Sequence, residues 1–408
     1  MYHPIRRTLS TAVASSGIAA SAVGLAPVAM ASPVSQVSVP CDTTALTSAI
    51  SSAASGETLE LAHRCVYSLQ GSLPDVSRDL TIVGRGATLR NTDKTGPGFA
   101  ILSVGSGVTL NISDLNFTGG GGDNSGACSG AIQNNGGHLT IQGGTFADNG
   151  IGANGTCEQS AGAIYNGENG YLQVSGATFS KNYSFAPGVN GPAGGAIINE
   201  GYADISLSEF VGNDATFRGG AIFSNFGGLT VLDCKFTGNE SALGGALSGR
   251  DIAVVDSTFT SNRASDVGGA IYASQVTVAG SQFTGNDAPV GGAIGNHSQL
   301  SVADSKFTGN QASDVGGAIA IAELGGVTLF GDKLSGNRAG DGGAIYEYGD
   351  VPGVLNVIST SITGNVATGP GGQGAGGIYN GRGPVYLHHA IIRSNTPKNC
   401  YNVPGCTS

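Results

Sequence analysis

Two short signals recur together along most of this chain, and their joint recurrence restricts the fold to a stack of near-identical coils. Both are visible in residues 304–319, where Phe307 stands three positions before Asn310 and Gly316-Gly317-Ala318-Ile319 follows. The asparagine column runs through Asn149, Asn182, Asn213, Asn239, Asn262, Asn286, Asn310, Asn337, Asn365 and Asn395. Three residues earlier stand Phe146, Phe179, Phe210, Phe236, Phe259, Phe283, Phe307, Leu334, Ile362 and Ile392. The second glycine of the other signal, or its equivalent, falls at Gly130, Gly162, Gly195, Gly220, Gly245, Gly269, Gly292, Gly317, Gly343 and Gly376. The spacing settles at about 25 residues, as repeat solenoids require. Longer intervals mark insertions at residues 150–160, 184–192 and 364–374.

A parallel β-helix accounts for both columns. Coils stacked at ~4.8 Å bring equivalent side chains into ladders. Phenylalanine would then stack on phenylalanine inside the core. Asparagine would sit at a bend in the left-handed region, passing amide hydrogen bonds from coil to coil. The glycine pair would form a corner that a Cβ obstructs. A coil of about 25 residues is read as three short strands and three turns. Runs such as Val276-Thr277-Val278 and Leu300-Ser301-Val302 suit strands, and a Gly-Gly pair in every coil excludes helical repeats. A β-propeller blade needs ~40 residues, and the leucine-rich-repeat pattern is missing. The expected architecture is all-β, with about 11–12 coils and a rod of roughly 55 Å.

The ends differ from the repeats. Arg6 and Arg7 precede an Ala-rich apolar run over residues 12–30, and Ala29-Met30-Ala31 fits a small-x-small cleavage site before Ser32. Residues 1–31 are therefore expected to be a signal peptide, with no transmembrane segment after its cleavage. Residues 32–40 read as a flexible leader. Leu46, Ala49, Ile50 and Ala53 lie at helical spacing behind a cap at Asp42 or Thr43. Residues 32–75 are thus read as leader and capping helix, 76–395 as the β-helix, and 396–408 as a disulfide loop. The exported chain has seven cysteines. Proximity suggests Cys41–Cys65, Cys128–Cys157 and Cys400–Cys406, with Cys234 left as a buried thiol.

Composition narrows the partners. Seventy residues are Gly, yet 40% are hydrophobic and only 11% charged, which is not a disordered composition. The net charge is −10, and −12 without the expected signal peptide that carries Arg6 and Arg7. An acidic, charge-poor surface argues against nucleic acid and anionic lipid.

The paired signals resemble the repeats of the chlamydial polymorphic outer-membrane proteins. The resemblance rests on Gly219-Gly220-Ala221-Ile222, Gly244-Gly245-Ala246-Leu247, Gly268-Gly269-Ala270-Ile271, Gly291-Gly292-Ala293-Ile294, Gly316-Gly317-Ala318-Ile319 and Gly342-Gly343-Ala344-Ile345, together with the Phe–Asn pairs, over about residues 115–395. It implies a right-handed parallel β-helix of the pectate-lyase-like superfamily, exposed or secreted, with adhesin-like roles. Those proteins end in a membrane β-barrel, whereas a short Cys loop is expected here, so outer-membrane anchoring is not implied. The reading is a secreted or surface-displayed, non-catalytic binding protein whose partner is a polysaccharide or cell-surface glycan. The alternative is an extracellular polysaccharide lyase or glycoside hydrolase.

An enzyme of that class needs converging carboxylates or a base. Asp233, Lys235, Asp256, Asp304 and Lys306, with Lys333, are expected on one outward sheet face and are the catalytic candidates. A mixed-charge ladder that keeps the sheet soluble accounts for the same residues. Asp214, Asp266, Asp314 and Asp341, with Asp287 and Glu240 nearby, form a weaker acidic column whose stacked carboxylates could hold Ca²⁺, with Asp266, Asp314 and Asp341 as the candidate ligands. No other cofactor is expected. The histidines lack metal spacing, and His388-His389 read as neighbours in a strand facing opposite ways. Tyr165, Phe223, Tyr272, Tyr346 and Tyr379 follow the glycine corner and form a candidate aromatic strip, either exposed for stacking sugars or packed on itself.

Overall fold

The computed structural model describes residues 35–93, 98–122, 128–152, 160–185, 193–322, 325–348, 353–369 and 374–407. Residues 1–31, expected to be a signal peptide, Cys157 and most of the three insertions lie outside the described residues. The rest is a parallel β-solenoid of about 11 turns. The strand pairs between successive coils are parallel, with Phe146 opposite Phe179 and Phe283 opposite Phe307, and with register shifts at corners such as Ser224/Gly228.

Ten coils, from the one ending in Gly121–Gly122 to the one ending in Val366–Ala367, have a fourth strand beyond the three expected. In one coil the strands are Ile132–Asn134, His138–Gln142, Thr145–Ala147 and Gly150–Ile151. The first two often merge, as in Ile294–Ala303. The fourth strands build their own 10-stranded sheet beside the 33-stranded one. They form because the residues after each asparagine alternate. Ala215, Ala264, Ala288 and Ala339 point inward and are buried, while Asp214 and Arg263 beside them reach toward solvent.

The core is a set of ladders. From Phe117 to Phe307 successive phenylalanine rings stack with centroids 4.7–4.8 Å apart, all fully buried. Below them runs the asparagine spine. Asn286 Oδ1 accepts both the backbone N–H and the Nδ2 of Asn262 at 3.0 Å. Its own Nδ2 donates to Asn310 Oδ1 at 2.9 Å and to the Phe259 carbonyl at 3.0 Å. No amide atom of the spine is left over at that coil.

The bend is made differently from the sequence expectation. The left-handed residue is the one before each asparagine: Asp148, Lys181, Ser261 and Ser394, or a glycine such as Gly285 (φ 61°). That reversal breaks the strand alternation and aims the following asparagine inward. The glycine corner is as expected. Gly316 has φ 68°, and a Cβ on Gly317 would lie 2.2 Å from the Gly343 carbonyl oxygen.

Both ends are closed. The helix Thr43–Ser52 starts at Asp42, whose Oδ1 accepts the Ala45 N–H at 2.8 Å, and it buries Leu46 and Ile50. Cys41–Cys65 ties it to the first coil. The leader is not loose. Gln36–Val39 pairs with Glu57–Leu61 as the first strand of the stack, because Val39 has core to cover. At the other end Asn399 Oδ1 accepts the N–H and Nδ2 of Asn395 at 3.1 Å and so terminates the spine, beside the Cys400–Cys406 loop.

Candidate functional site: an aromatic ledge beside an acidic hollow

The corner between the first and second strands is where the coils differ most. Asn135 to Gly137 form it in one coil, Gly167 to Gly170 in the next, then Glu200 and Gly201. A second asparagine ladder holds it. Asn134 Nδ2 donates to Asn166 Oδ1 at 2.7 Å, Asn166 to Asn199 at 2.7 Å, and Asn199 to Ser224 Oγ at 3.0 Å. These buried bonds fix the backbone, so the side chains displayed at the corner are pre-positioned.

On the second strands His138, Tyr171 and Tyr202 are register partners facing outward. The His138 and Tyr171 ring centroids are 5.9 Å apart, and Tyr202 is 66% exposed. The Tyr171 hydroxyl donates to Asp204 Oδ2 at 2.5 Å, which holds the ring upright; that bond is also the main cause raising the Tyr171 phenol pKa. Past Tyr202 the ledge drops to Gly228, and a shallow hollow of about 260 Å³ opens over Thr230, Asp251, Gln275 and Thr277.

At the corner itself lies a hollow of about 330 Å³ lined by Asn135, Tyr165, Gly167, Glu168 and Glu200. Glu200 is only 5% exposed, and Asn225 Nδ2 lies 3.3–3.4 Å from its two oxygens. Burial raises the Glu200 carboxyl pKa, the Asn225 contact opposes the rise, and the Glu168 charge adds to it. Tyr165 is raised by burial, then by Glu200 and Glu168. A carboxyl, a phenol and an amide in one hollow can exchange hydrogen bonds with hydroxyl groups, and the ledge offers rings for an apolar face.

The sequence-derived candidates are placed elsewhere. Asp233, Asp256 and Asp304 occupy left-handed turns (φ 49–52°) three residues before each phenylalanine. Gly280 and Gly331 take the same place in neighbouring coils. Asp there is explained by its tolerance of that conformation. Lys235, Lys306 and Lys333 lie on the third strands, so the two sets do not share one sheet face. Lys235 pairs with Glu209 at 2.8 Å across the register, which raises its pKa. Asp266 and Asp314 sit in alternate coils, with Pro289 in the coil between them. Asp287 pairs with Arg263 at 3.6 Å. Among the described residues no group of three or more His, Cys, Asp or Glu side chains is arranged to hold a metal.

The aromatic strip is broken, because Ser248, Gly295 and Ala320 stand in its register. Phe223 is buried against Ala161 and Ile198, with Tyr165 packed beside them. Tyr272 bonds His297 Nε2 at 2.6 Å. Tyr346, Tyr379 and Tyr401 stack at 4.7 and 4.6 Å. His388 ends a strand, and His389 occupies a left-handed turn (φ 53°), not the strand expected. Cys234 is free and buried, and burial pushes its thiol up to about 11. Sequence reading passed over Glu168, Glu200, Tyr171 and Tyr202; the Ile-x-Asn triplets at 132–134, 164–166 and 197–199 mark that corner.

Residues 256–274, running from the Asp256 turn through the next glycine corner to Ser274, match the Chlamydia polymorphic membrane protein (Chlamydia_PMP) repeat. One coil of the β-helix thus carries a sequence similar to the Pmp repeat. The chain is also similar to the crystal structure of tailspike protein 3 of bacteriophage CBA120, with 13% identity and a TM-score of 0.45. That likeness covers 90% of this chain and 59% of the tailspike chain, so this chain spans less than two thirds of it. No curated protein matches the chain.

Proposed function

We propose that this is an exported, surface-acting binding protein and that its ligand is a glycan seated along the His138–Tyr171–Tyr202 ledge with one end in the Glu168–Glu200 hollow. The observation that carries the reading is the exposed Tyr202 ring beside a hollow with a buried carboxyl. Pyranose rings present an apolar C–H face and a rim of hydroxyls. A ring platform next to convergent polar groups fits both. The lining lacks Lys and Arg, which favours neutral over acidic sugars.

A glycan array on the purified protein tests this, followed by titration of the best ligand. Tyr202→Ala is expected to weaken binding by about tenfold or more, the equivalent of ~1.4 kcal/mol. An array without hits, or a ligand indifferent to Tyr202, would remove the ledge from the function.

A second reading, a glycoside hydrolase or polysaccharide lyase, draws on Glu200, since a carboxyl raised by burial is suited to general-acid work. Incubation with uronans and neutral glycans separates the two. Release of reducing or unsaturated ends that stops on Glu200→Gln would establish turnover. Alanine variants of Asp233, Lys235, Asp256, Asp304 and Lys306 in the same assay test the turn and strand residues. A chelator added to the binding assay tests whether Ca²⁺ at Asp266, Asp314 or Asp341 contributes.

A further inference from the structure

A third ladder runs beside the phenylalanine stack, one residue after the left-handed turn. Where its member is Ser208, Ser257, Ser281, Ser305 or Thr360, the hydroxyl accepts a backbone N–H from the neighbouring coil and donates to the carbonyl two residues behind it. Ser257 Oγ accepts the Cys234 N–H at 3.0 Å and donates to Val255 at 2.8 Å. Ser281 does the same toward Ser257 and Ala279, and Ser305 toward Ser281 and Ala303. Thr360 accepts the Asp332 N–H at 3.2 Å and donates to Ile358 at 3.0 Å.

Asp332 occupies this position in the coil between Ser305 and Thr360, and it is 1% exposed. Its Oδ1 accepts the Ser305 N–H at 2.8 Å, as a serine oxygen would. Its Oδ2 is buried without a hydrogen-bond partner. An ionised carboxylate has no hydrogen to donate, so the second half of the ladder contact is missing while Asp332 is charged. A proton on Oδ2 supplies it, and the carbonyl two residues behind is that of Phe330. We propose that Asp332 is a proton-operated latch in the C-terminal half of the solenoid, closing the serine ladder when protonated and opening it when ionised.

The surroundings agree. Burial pushes the carboxyl up to about 7, against the pull of backbone groups of Ser305 and Phe330, and the Asp304 charge adds to the rise. The charged groups on the flanking turns and strands are Asp304 and Lys306 on the preceding coil and Lys333 beside it, all exposed. The following coil offers the uncharged Ser359, Thr360 and Ser361. No cation is paired with Asp332 among the described residues.

The sign follows from linkage. The folded state holds this proton more tightly than the unfolded chain, whose value is near 3.8. The stabilisation is therefore complete below that value and is lost as pH rises toward about 7. Asp332→Asn keeps the shape and carries a permanent donor. Asp332→Ser restores the residue used at Ser257, Ser281 and Ser305. The test is chemical denaturation of the full chain and both variants at pH 5 and pH 8. Relative to either variant, the unfolding equilibrium constant of the natural protein is expected to rise by about 100-fold between the two pH values. Parallel behaviour of all three proteins would overturn the latch. So would destabilisation by Asp332→Ser at pH 8, since the ladder's own residue would then fail to fit.

Discussion

Phe283 lies between Phe259 and Phe307 at the same 4.7 Å separation on either side, fully buried. A ring in that position has no room to shift along the rod, and its removal leaves a gap that neighbouring coils, pinned by their own ladders, cannot close. Phe283→Ala is therefore expected to cost roughly 3–5 kcal/mol, the range for truncating a buried aromatic. Urea denaturation measures it. A loss below about 1 kcal/mol, under the usual range, would place the ring outside the load of the core. The same residue-scale logic explains the acidic turn residues. Asp233, Asp256 and Asp304 have positive φ, and the equivalent places hold Gly280 and Gly331. Asp and Gly are alternative answers to one backbone demand, so their recurrence reports the turn and carries no information about chemistry.

At the scale of the element, the asparagine spine is a continuous buried hydrogen-bond network, and its members are not interchangeable with surface residues. Asn286→Ala leaves the backbone N–H and Nδ2 of Asn262 without their acceptor, inside the core. Each such orphan costs about 1–3 kcal/mol, so the substitution is expected to cost several. Lys306 is an exposed strand residue, and Lys306→Ala is expected to stay within about 0.5 kcal/mol. Denaturation midpoints compare the two directly, and equal effects would mean that the spine bonds contribute no more than solvent does. The sequence made this element legible because Phe and Asn recur in every coil and the ladder multiplies one local choice. It did not reveal the left-handed residue, since Asn is itself a common occupant of that conformation and the true position alternates among Asp, Lys, Ser and Gly. The fourth strand was missed because as few as two residues, as at Gly150–Ile151, carry no readable period. The candidate site was the least legible part. Glu200 has no acidic counterpart in the coil before it and tyrosine at the Tyr202 position recurs only at Tyr171, and a residue that departs from the repeat looks like drift until the coil is wound and its neighbours are known.

For the whole molecule, the decisive fact is that each coil touches only the coils on either side of it. Stability is then a sum of coil and interface contributions, and damage at one end should stay there. The N-terminal end is protected by the helix that buries Leu46 and Ile50, and by Cys41–Cys65. The C-terminal end of the spine depends on Asn399, whose Oδ1 takes both donors of Asn395 and whose Nδ2 donates to the Thr407 carbonyl at 3.0 Å. Asn399→Ala removes that terminus while leaving every Phe and every repeat Asn in place. Hydrogen exchange should then accelerate in the coils containing Asn365 and Asn395, whose spine bonds lie next to the lost acceptor. The coils from Phe117 to Phe210, which carry the ledge and the hollow, should exchange as before. Glycan binding at Tyr202 should also survive, because nothing in the corner that holds Glu200 leads to Asn399 except through a long run of intervening coils. Acceleration spread evenly along the rod would show instead that the solenoid melts as one cooperative body. In that case the pH latch at Asp332 would reach the ledge as well, and binding at Tyr202 would acquire the same dependence on the protonation of a carboxyl several coils away.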